Sequence, residues 1–315
     1  MKSKTELLAI VGPTASGKTD LGLRLAREND GEIISVDSRQ VYRDLSIGTA
    51  KPAGAWVQQI YRVQDIPYHL VDFQDPDNVF SAADFVQQAE EKMTEIRARG
   101  KRPILVGGTG LYFKALVEGL APLPPSNKAL RAGLKTLAEK KGRTFLHAEL
   151  AKADPEAAQR IPANNIHRVI RALEVYELTQ KPISQWHREH QANLKQTNPS
   201  PPPSPLSKGR GNTGEGLKMI GIEMPREDLH RRIEKRCADM LKNGMIDETE
   251  RLLKKGFAPD CPALTGLGYK RVTAFLNGRL SREDLLALLT QDTRQYAKRQ
   301  MTWFRHQAQV TWKTL

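Results

Sequence analysis

Leu7-Leu8-Ala9-Ile10-Val11-Gly12-Pro13-Thr14-Ala15-Ser16-Gly17-Lys18-Thr19 is the stretch whose reading decides the fold. Five apolar residues without alternation predict a strand buried on both faces, as in a parallel sheet. Gly12 ends the run. Leu21 and Leu25 then share one face of an amphipathic helix. The eight residues between match G-x-x-x-x-G-K-[ST], the P-loop pattern, in the strand–turn–helix context that gives it meaning. Glycines let successive backbone N–H groups converge on phosphate oxygens, and the helix N-terminus adds partial positive charge. Gly12, Pro13, Thr14, Ala15, Ser16, Gly17, Lys18 and Thr19 are therefore the candidate phosphate cradle. Lys18 neutralises a terminal phosphate, and the Thr19 hydroxyl is the candidate ligand for Mg²⁺.

Outward from this unit, residues 33–36 and 104–106 repeat the short apolar run, ending in Asp37 and in Gly107-Gly108. Residues 81–99 predict a helix. Ser81 and Asp84 form a capping-box start, and Phe85, Ala89, Met93 and Ile96 make an apolar stripe. Arg97 and Arg99 suit the negative end of the dipole, and Gly100 stops the helix. Strands alternating with helices predict a parallel sheet covered on both faces. After Gly119 the pattern changes at Pro122, Pro124 and Pro125. Helical stretches follow at 128–141, 166–179, 226–255 and 281–305, with short strands at 218–223 and 310–312. The expected fold is α/β: a P-loop NTPase-like parallel sheet flanked by helices, with a mainly helical insertion domain. Residues 1–120 and 217–315 form the core and 121–195 the insertion. In residues 196–216, five Pro, four Gly and three Ser fill 12 of 21 positions, and a disordered loop is expected there.

Charge divides the chain in the same place. Residues 1–120 carry 15 Lys and Arg against 16 Asp and Glu, a net of −1; residues 121–315 carry 34 against 20, a net of +14. A basic half of this size invites a polyanion such as nucleic acid. The two cysteines, Cys237 and Cys261, make neither a disulfide framework nor a zinc site. No apolar run is long enough to span a bilayer, and five apolar residues before Gly12 are too few for a signal-peptide core. A cytoplasmic monomer that does not engage membranes is expected.

A P-loop specifies a polyphosphate or diphosphate, not ATP. Kinases and ATPases add an acid at another strand end to hold Mg²⁺. The strand at 104–106 runs instead into Gly107-Gly108-Thr109-Gly110. The carboxylate at a strand end facing the cradle is Asp37, since ligands of open α/β sheets bind at strand C-termini. General base, hydrogen-bond acceptor and Mg²⁺ ligand are all open to it.

GPTASGKT at 12–19, SVDSRQVY at 35–42, IGTAKP at 47–52, YHLVD at 68–72 and VGGTGLY at 106–112 together resemble the bacterial tRNA dimethylallyltransferases, also called tRNA isopentenyltransferases. LTGLGYKR at 264–271 and TRQYAKRQMTWFR at 293–305 are similar to the C-terminal blocks of that family. Seven blocks in the family's order span residues 7–312, interrupted at 196–216. The resemblance implies transfer of a dimethylallyl group from dimethylallyl diphosphate to N6 of the adenine 3′-adjacent to the anticodon of tRNA, with release of diphosphate. The P-loop would then hold diphosphate, with Lys18, Thr19 and Mg²⁺ stabilising the leaving group and Asp37 accepting the N6 proton. The tRNA anticodon stem-loop would meet Asp37, Ser38, Arg39, Gln40 and Thr109, with Arg39 at a position the family varies.

The basic half supplies the rest of the implied tRNA contact. Ile166, Val169, Ile170 and Leu173 make a core stripe, which turns His167, Arg168 and Arg171 outward. The resemblance assigns the stretch His167, Arg168, Val169, Ile170 and Arg171 to tRNA, along with Gly268, Tyr269, Lys270 and Arg299; Arg131 joins them by its position after the proline breaker. Arg294, Lys298 and Arg305 share one helical face, while Met301 and Phe304 are expected to pack inward. The alternatives are a P-loop small-molecule kinase, a prenyltransferase acting on a free adenine nucleotide, and an RNA-binding protein switched by nucleotide. A net of +14 exceeds what a mononucleotide needs.

Overall fold

The computed structural model describes residues 7–196, 217–307 and 310–314. The chain divides into two units, Met1–Leu116 with Gly209–Leu315, and Val117–Lys208. In chain order the first unit begins with β1 (Leu7–Val11), α1 (Lys18–Glu28), β2 (Gly31–Val36), β3 (Ala55–Val57), β4 (Ile60–Val63), β5 (Ile66–His69), α2 (Ala82–Ala98), β6 (Arg102–Gly107) and α3 (Gly110–Glu118). The second unit holds α4 (Lys128–Lys141), α5 (Arg143–Ala153), α6 (Pro155–Arg160), α7 (Ile166–Thr179) and α8 (Ile183–Gln196). The first resumes with β7 (Leu217–Glu223), α9 (Arg226–Lys242), α10 (Met245–Lys254), α11 (Leu267–Leu276), α12 (Arg282–Gln307) and β8 (Val310–Thr314).

The sheet runs β3-β4-β5-β2-β6-β1-β7-β8. From β5 to β8 every pairing is parallel, with Ala9 opposite Leu105 on one side and Met219 on the other. β1, β2 and β6 lie inside the sheet, which is why their sequences are unbroken apolar runs rather than alternating ones. All five residues of β1 are buried. Helix α2 carries the capping box: Ser81 Oγ accepts from the Asp84 N–H at 3.2 Å and Asp84 Oδ2 accepts from the Ser81 N–H at 2.8 Å. Its buried residues are Phe85, Ala89, Met93 and Ile96, the stripe read from the sequence.

Two expectations change. The sheet is not wholly parallel: β3, β4 and β5 form an antiparallel edge. These strands are three or four residues long, too short to show a period of two. The stretch 226–255 is two helices, because Gly244 takes φ +98° and turns the chain between α9 and α10. The Pro/Gly/Ser-rich stretch 196–216 lies outside the described residues beyond Gln196.

In the second unit, Leu146, Leu150, Val169, Ala172 and Val175 form the core. Asp154 is buried and caps two helices at once, accepting from the Ala157 N–H and the Ser184 N–H, both at 2.9 Å. Glu174 is fully buried and accepts from the Asn127 N–H at 2.6 Å, Arg131 Nε at 2.9 Å and an Arg171 guanidinium nitrogen at 2.6 Å. Arg171 also donates to the Pro124 carbonyl at 2.7 Å. Burial pushes the Glu174 carboxyl up, but the two guanidiniums and the amide outweigh it and hold it below the usual carboxylate range. Arg171 therefore ties the proline breaker to α7, and Arg131 ties α4 to it.

Candidate active site

The P-loop leaves β1 at Gly12, where a Cβ would come within 2.9 Å of the Ile222 carbonyl, so only glycine fits. Ala15 is held at φ +65° and Gly17 at φ +90°, the left-handed turn that starts α1. Lys18 folds back over the loop and donates to the Pro13 carbonyl at 2.5 Å. Ser16 is fully buried, and among the described residues its Oγ has no hydrogen-bond partner. A buried hydroxyl without a partner is expensive unless something fills that place. The loop opens into a cleft of about 650 Å³, lined by residues 14–20, by Asp37 to Gln40 and by the C-terminal helices. That volume lies in the range of small-ligand sites.

Asp37 follows β2 and faces the same cleft. Its Oδ1 accepts from the Arg39 N–H at 2.8 Å and the Gln40 N–H at 3.2 Å, so the turn itself fixes the carboxylate. Thr109 braces the same turn: its Oγ1 accepts from the Ser38 N–H at 3.2 Å. Tyr296 bonds Thr109, and its phenol is pushed up to about 12 by burial and the Asp37 charge. Arg232 and Arg236, one helical turn apart on α9, line the cleft with Lys18. Burial first, and then the Arg236 charge, lower the Lys18 ammonium to about 7, with Asp37 partly opposing both. The site thus sets Lys18, Arg232 and Arg236 around the Asp37 carboxylate, an arrangement for receiving an anion with more than one charge.

A single buried carboxylate shapes the remaining wall. Glu248 Oε2 accepts from the Ser46 N–H at 2.6 Å and the Ile47 N–H at 2.8 Å, while Oε1 accepts from the Gly48 N–H at 3.1 Å and the Tyr269 hydroxyl at 2.7 Å. This fixes the IGTAKP loop, and Gln40 Nε2 in turn donates to the Ala50 carbonyl at 3.1 Å. Arg39 donates to the Pro262 carbonyl at 2.8 Å and Thr265 Oγ1 at 3.1 Å, which anchors the Asp37 turn to the segment before α11.

The IPP transferase family description matches residues 40–307. The chain belongs to the IPP transferase family. It is 43% identical over 98% of its length to the tRNA dimethylallyltransferase of Geobacter sulfurreducens, covering 92% of that protein. It is 40% identical to the tRNA dimethylallyltransferase of Geobacillus thermodenitrificans, over 98% of this chain and 90% of the other. The full-length tRNA isopentenylpyrophosphate transferase of Bacillus halodurans superposes with a TM-score of 0.66 at 38% identity, over 98% of this chain and 90% of that one. A eukaryotic dimethylallyltransferase acting on tRNA gives 0.69 at 26% identity, over 98% and 74%. Like its relatives, this IPP transferase is a transferase enzyme.

Among the residues read from the sequence, Thr14 to Thr19, Asp37 to Gln40, Gly268, Tyr269 and Arg299 line the cleft of this IPP transferase. Gly12 and Pro13 do not; Gly12 packs on β7, and Pro13 faces a second cavity of about 1000 Å³. Arg294 and Lys298 also line that second cavity, with Arg294 paired to Glu234 at 3.1 Å. Met301 lines it too, rather than packing inward, whereas Phe304 is fully buried. Tyr269 cannot offer its hydroxyl to RNA, because Glu248 holds it and 2% of the residue is exposed. Lys270 is exposed on α11.

In the helical unit, His167 and Arg168 are exposed, as the stripe requires. Val169 and Ile170 are core residues whose side chains are closed to RNA, and Arg131 and Arg171 are engaged by Glu174. Sequence reasoning missed Arg232, Arg236, Tyr68 and Gln300 in the cleft, and Glu248 beneath it. Arg232 and Arg236 stand at a readable i,i+4 spacing, but nothing in the sequence says that α9 faces the P-loop. Among the described residues, no group of three His, Cys, Asp or Glu side chains is placed to hold a metal ion, and no helix is long and apolar enough to cross a membrane.

Proposed function

We propose that this IPP transferase moves a dimethylallyl group from dimethylallyl diphosphate to N6 of the adenine 3′-adjacent to the anticodon of tRNA, and releases diphosphate. The observation that carries the reading is the placement of Asp37 across one cleft from Lys18 and Arg236, with its carboxylate fixed by two backbone amides. The relatives named tRNA dimethylallyltransferase support it. In the transfer, the bond between C1 of the prenyl group and the diphosphate oxygen breaks, and its electron pair leaves with diphosphate. Lys18, Arg236 and the N-terminus of α1 stabilise that charge as it develops. The N6 lone pair, delocalised into the adenine ring, forms the new C–N bond as Asp37 accepts the N6 proton.

The Thr19 hydroxyl, in contact with Tyr68, is a hard oxygen donor on the first turn of α1. One such donor, with no dedicated acidic cage among the described residues, suits Mg²⁺, which keeps several waters and is shared with substrate phosphates. When bound there, Mg²⁺ would supply positive charge to the departing diphosphate. His167 and Arg168 are the tRNA-facing side chains of the helical unit in this reading. In this reading the enzyme works on tRNA as a monomer in the cytoplasm.

The test is incubation with labelled dimethylallyl diphosphate, Mg²⁺ and unmodified tRNA, with AMP as a parallel acceptor and labelled ATP as a parallel donor. Label is expected in tRNA at the adenine beside the anticodon. Label in AMP alone, or phosphate transfer from ATP, would overturn the reading. Asp37→Ala should lower turnover by about 10²-fold or more.

A further inference from the structure

Gln300 sits on α12 between the two halves of the cleft, with 7% of its surface exposed. Its Oε1 accepts from the Thr14 N–H of the P-loop at 2.8 Å, and its Nε2 donates to the Gly108 carbonyl at 2.9 Å. The orientation of the amide is forced, since a backbone N–H can only donate and a carbonyl can only accept. No other side chain of this length offers a donor and an acceptor on one planar group. The next turn of α12 is anchored by Phe304, fully buried and edge-on to Phe113 at 5.7 Å between ring centres. The amide is therefore held from a rigid element.

Each end of the bridge leads to one reactant. Thr14 belongs to the cradle for the leaving group. Gly108 precedes Thr109, whose N–H donates to the Val36 carbonyl at 3.2 Å and whose Oγ1 accepts from the Ser38 N–H at 3.2 Å. Asp37 lies between those two contacts. Position 108 has no room for a side chain, because a Cβ there would stand 2.1 Å from Gln300 Nε2. The Thr14 N–H is also spoken for, so the cradle must hold its anion with its other groups.

From these contacts we infer that Gln300 is a positioning residue for the transfer: it sets the spacing between the diphosphate cradle and the turn that carries Asp37. The inference rests on the proposed prenyl transfer to tRNA. In this role Gln300 acts through Thr14 and Gly108 rather than on a reacting atom. Its loss should misalign donor and acceptor rather than weaken either, and a displacement of about 1 Å costs on the order of 10²-fold in rate.

Single-turnover transfer at saturating substrates tests this with Gln300→Ala, Gln300→Glu, Gly108→Ala and the double variant Gln300→Ala with Gly108→Ala. Binding of inorganic diphosphate and thermal melting are followed in parallel. Each single variant should transfer about 10- to 100-fold more slowly while diphosphate affinity stays within about threefold. Gln300→Glu keeps its shape and the Thr14 acceptor, so its defect isolates the Gly108 arm. The double variant should be no slower than the slower single, because truncating Gln300 opens the space that the added Cβ needs. Wild-type rates in Gln300→Ala or Gln300→Glu, a rate loss matched by lost diphosphate affinity, or multiplied defects in the double variant would overturn the inference. A wild-type enzyme that fails to label tRNA would sink the proposed function instead, whatever the variants do.

Discussion

Replacing Glu248 by Gln tests how the acceptor side of the cleft is built. The carboxylate accepts four donors and is 3% exposed. Glutamine fits the space but must turn one oxygen into a donor. The less costly orientation puts the new NH₂ at the Oε1 position, where the Tyr269 hydroxyl can rotate to accept from it. The Gly48 N–H is then left facing a donor, a loss of about 1–3 kcal/mol. The Ser46 and Ile47 bonds survive but lose their charged acceptor, about 1 kcal/mol each. The sum, about 3–5 kcal/mol, falls on one loop. Amide hydrogen exchange of the segment 46–50 reads it directly. At about 1.4 kcal/mol per decade, exchange should accelerate by 10²-fold or more. The KM for tRNA should rise as the Gln40 anchor at Ala50 loosens. Unchanged exchange at 46–50 in Glu248→Gln would refute the claim that this carboxylate holds the loop.

Three further outcomes follow from particular side chains. Lys18 titrates at about 7 in the free protein, so diphosphate binding at pH 8 should take up a proton that Lys18→Met does not, seen as a buffer-dependent heat in calorimetry. The sign for stability is opposite to that for affinity: the unfolded chain binds the extra proton between pH 7 and the usual lysine range, so this group makes the unliganded fold more stable as pH rises while diphosphate binding weakens. Burial pushes the Glu32 carboxyl up, but His69 at 2.6 Å and Arg99 at 2.8 Å outweigh it and hold it at about 2. Its stabilisation, about 2–3 kcal/mol, should be present above pH 4.5 and lost as pH falls towards 2; Glu32→Gln should flatten that part of the acid unfolding curve. Arg168→Ala should weaken tRNA binding and reduce its salt slope by about one, whereas Arg171→Ala should mainly lower the melting temperature of the helical unit, since Glu174 already holds that guanidinium.

What could be read from the chain by itself is what local chemistry dictates. An apolar run followed by G-x-x-x-x-G-K-T has one low-energy outcome, a buried strand, an anion-binding turn and a helix. That placed β1, the turn at 12–17 and α1 without any long-range information. The capping box of α2 and the core stripe of α7 are local in the same sense. Asp37 was legible because strand C-termini share one edge of a parallel sheet.

Only the tertiary structure decided which charges are available. Arg168 and Arg171 are three residues apart on one helix, yet one is exposed and the other is committed to a buried carboxylate. Helical spacing reports a direction, not a partner. Arg236, Glu248 and Gln300 lie about 200 residues or more from the loops they serve, and no local pattern encodes that meeting. It arises because β7 pairs beside β1 and brings the C-terminal helices over the P-loop edge. The cradle is local chemistry, while its alignment with Asp37 is long-range packing, and the amide of Gln300 joins the two.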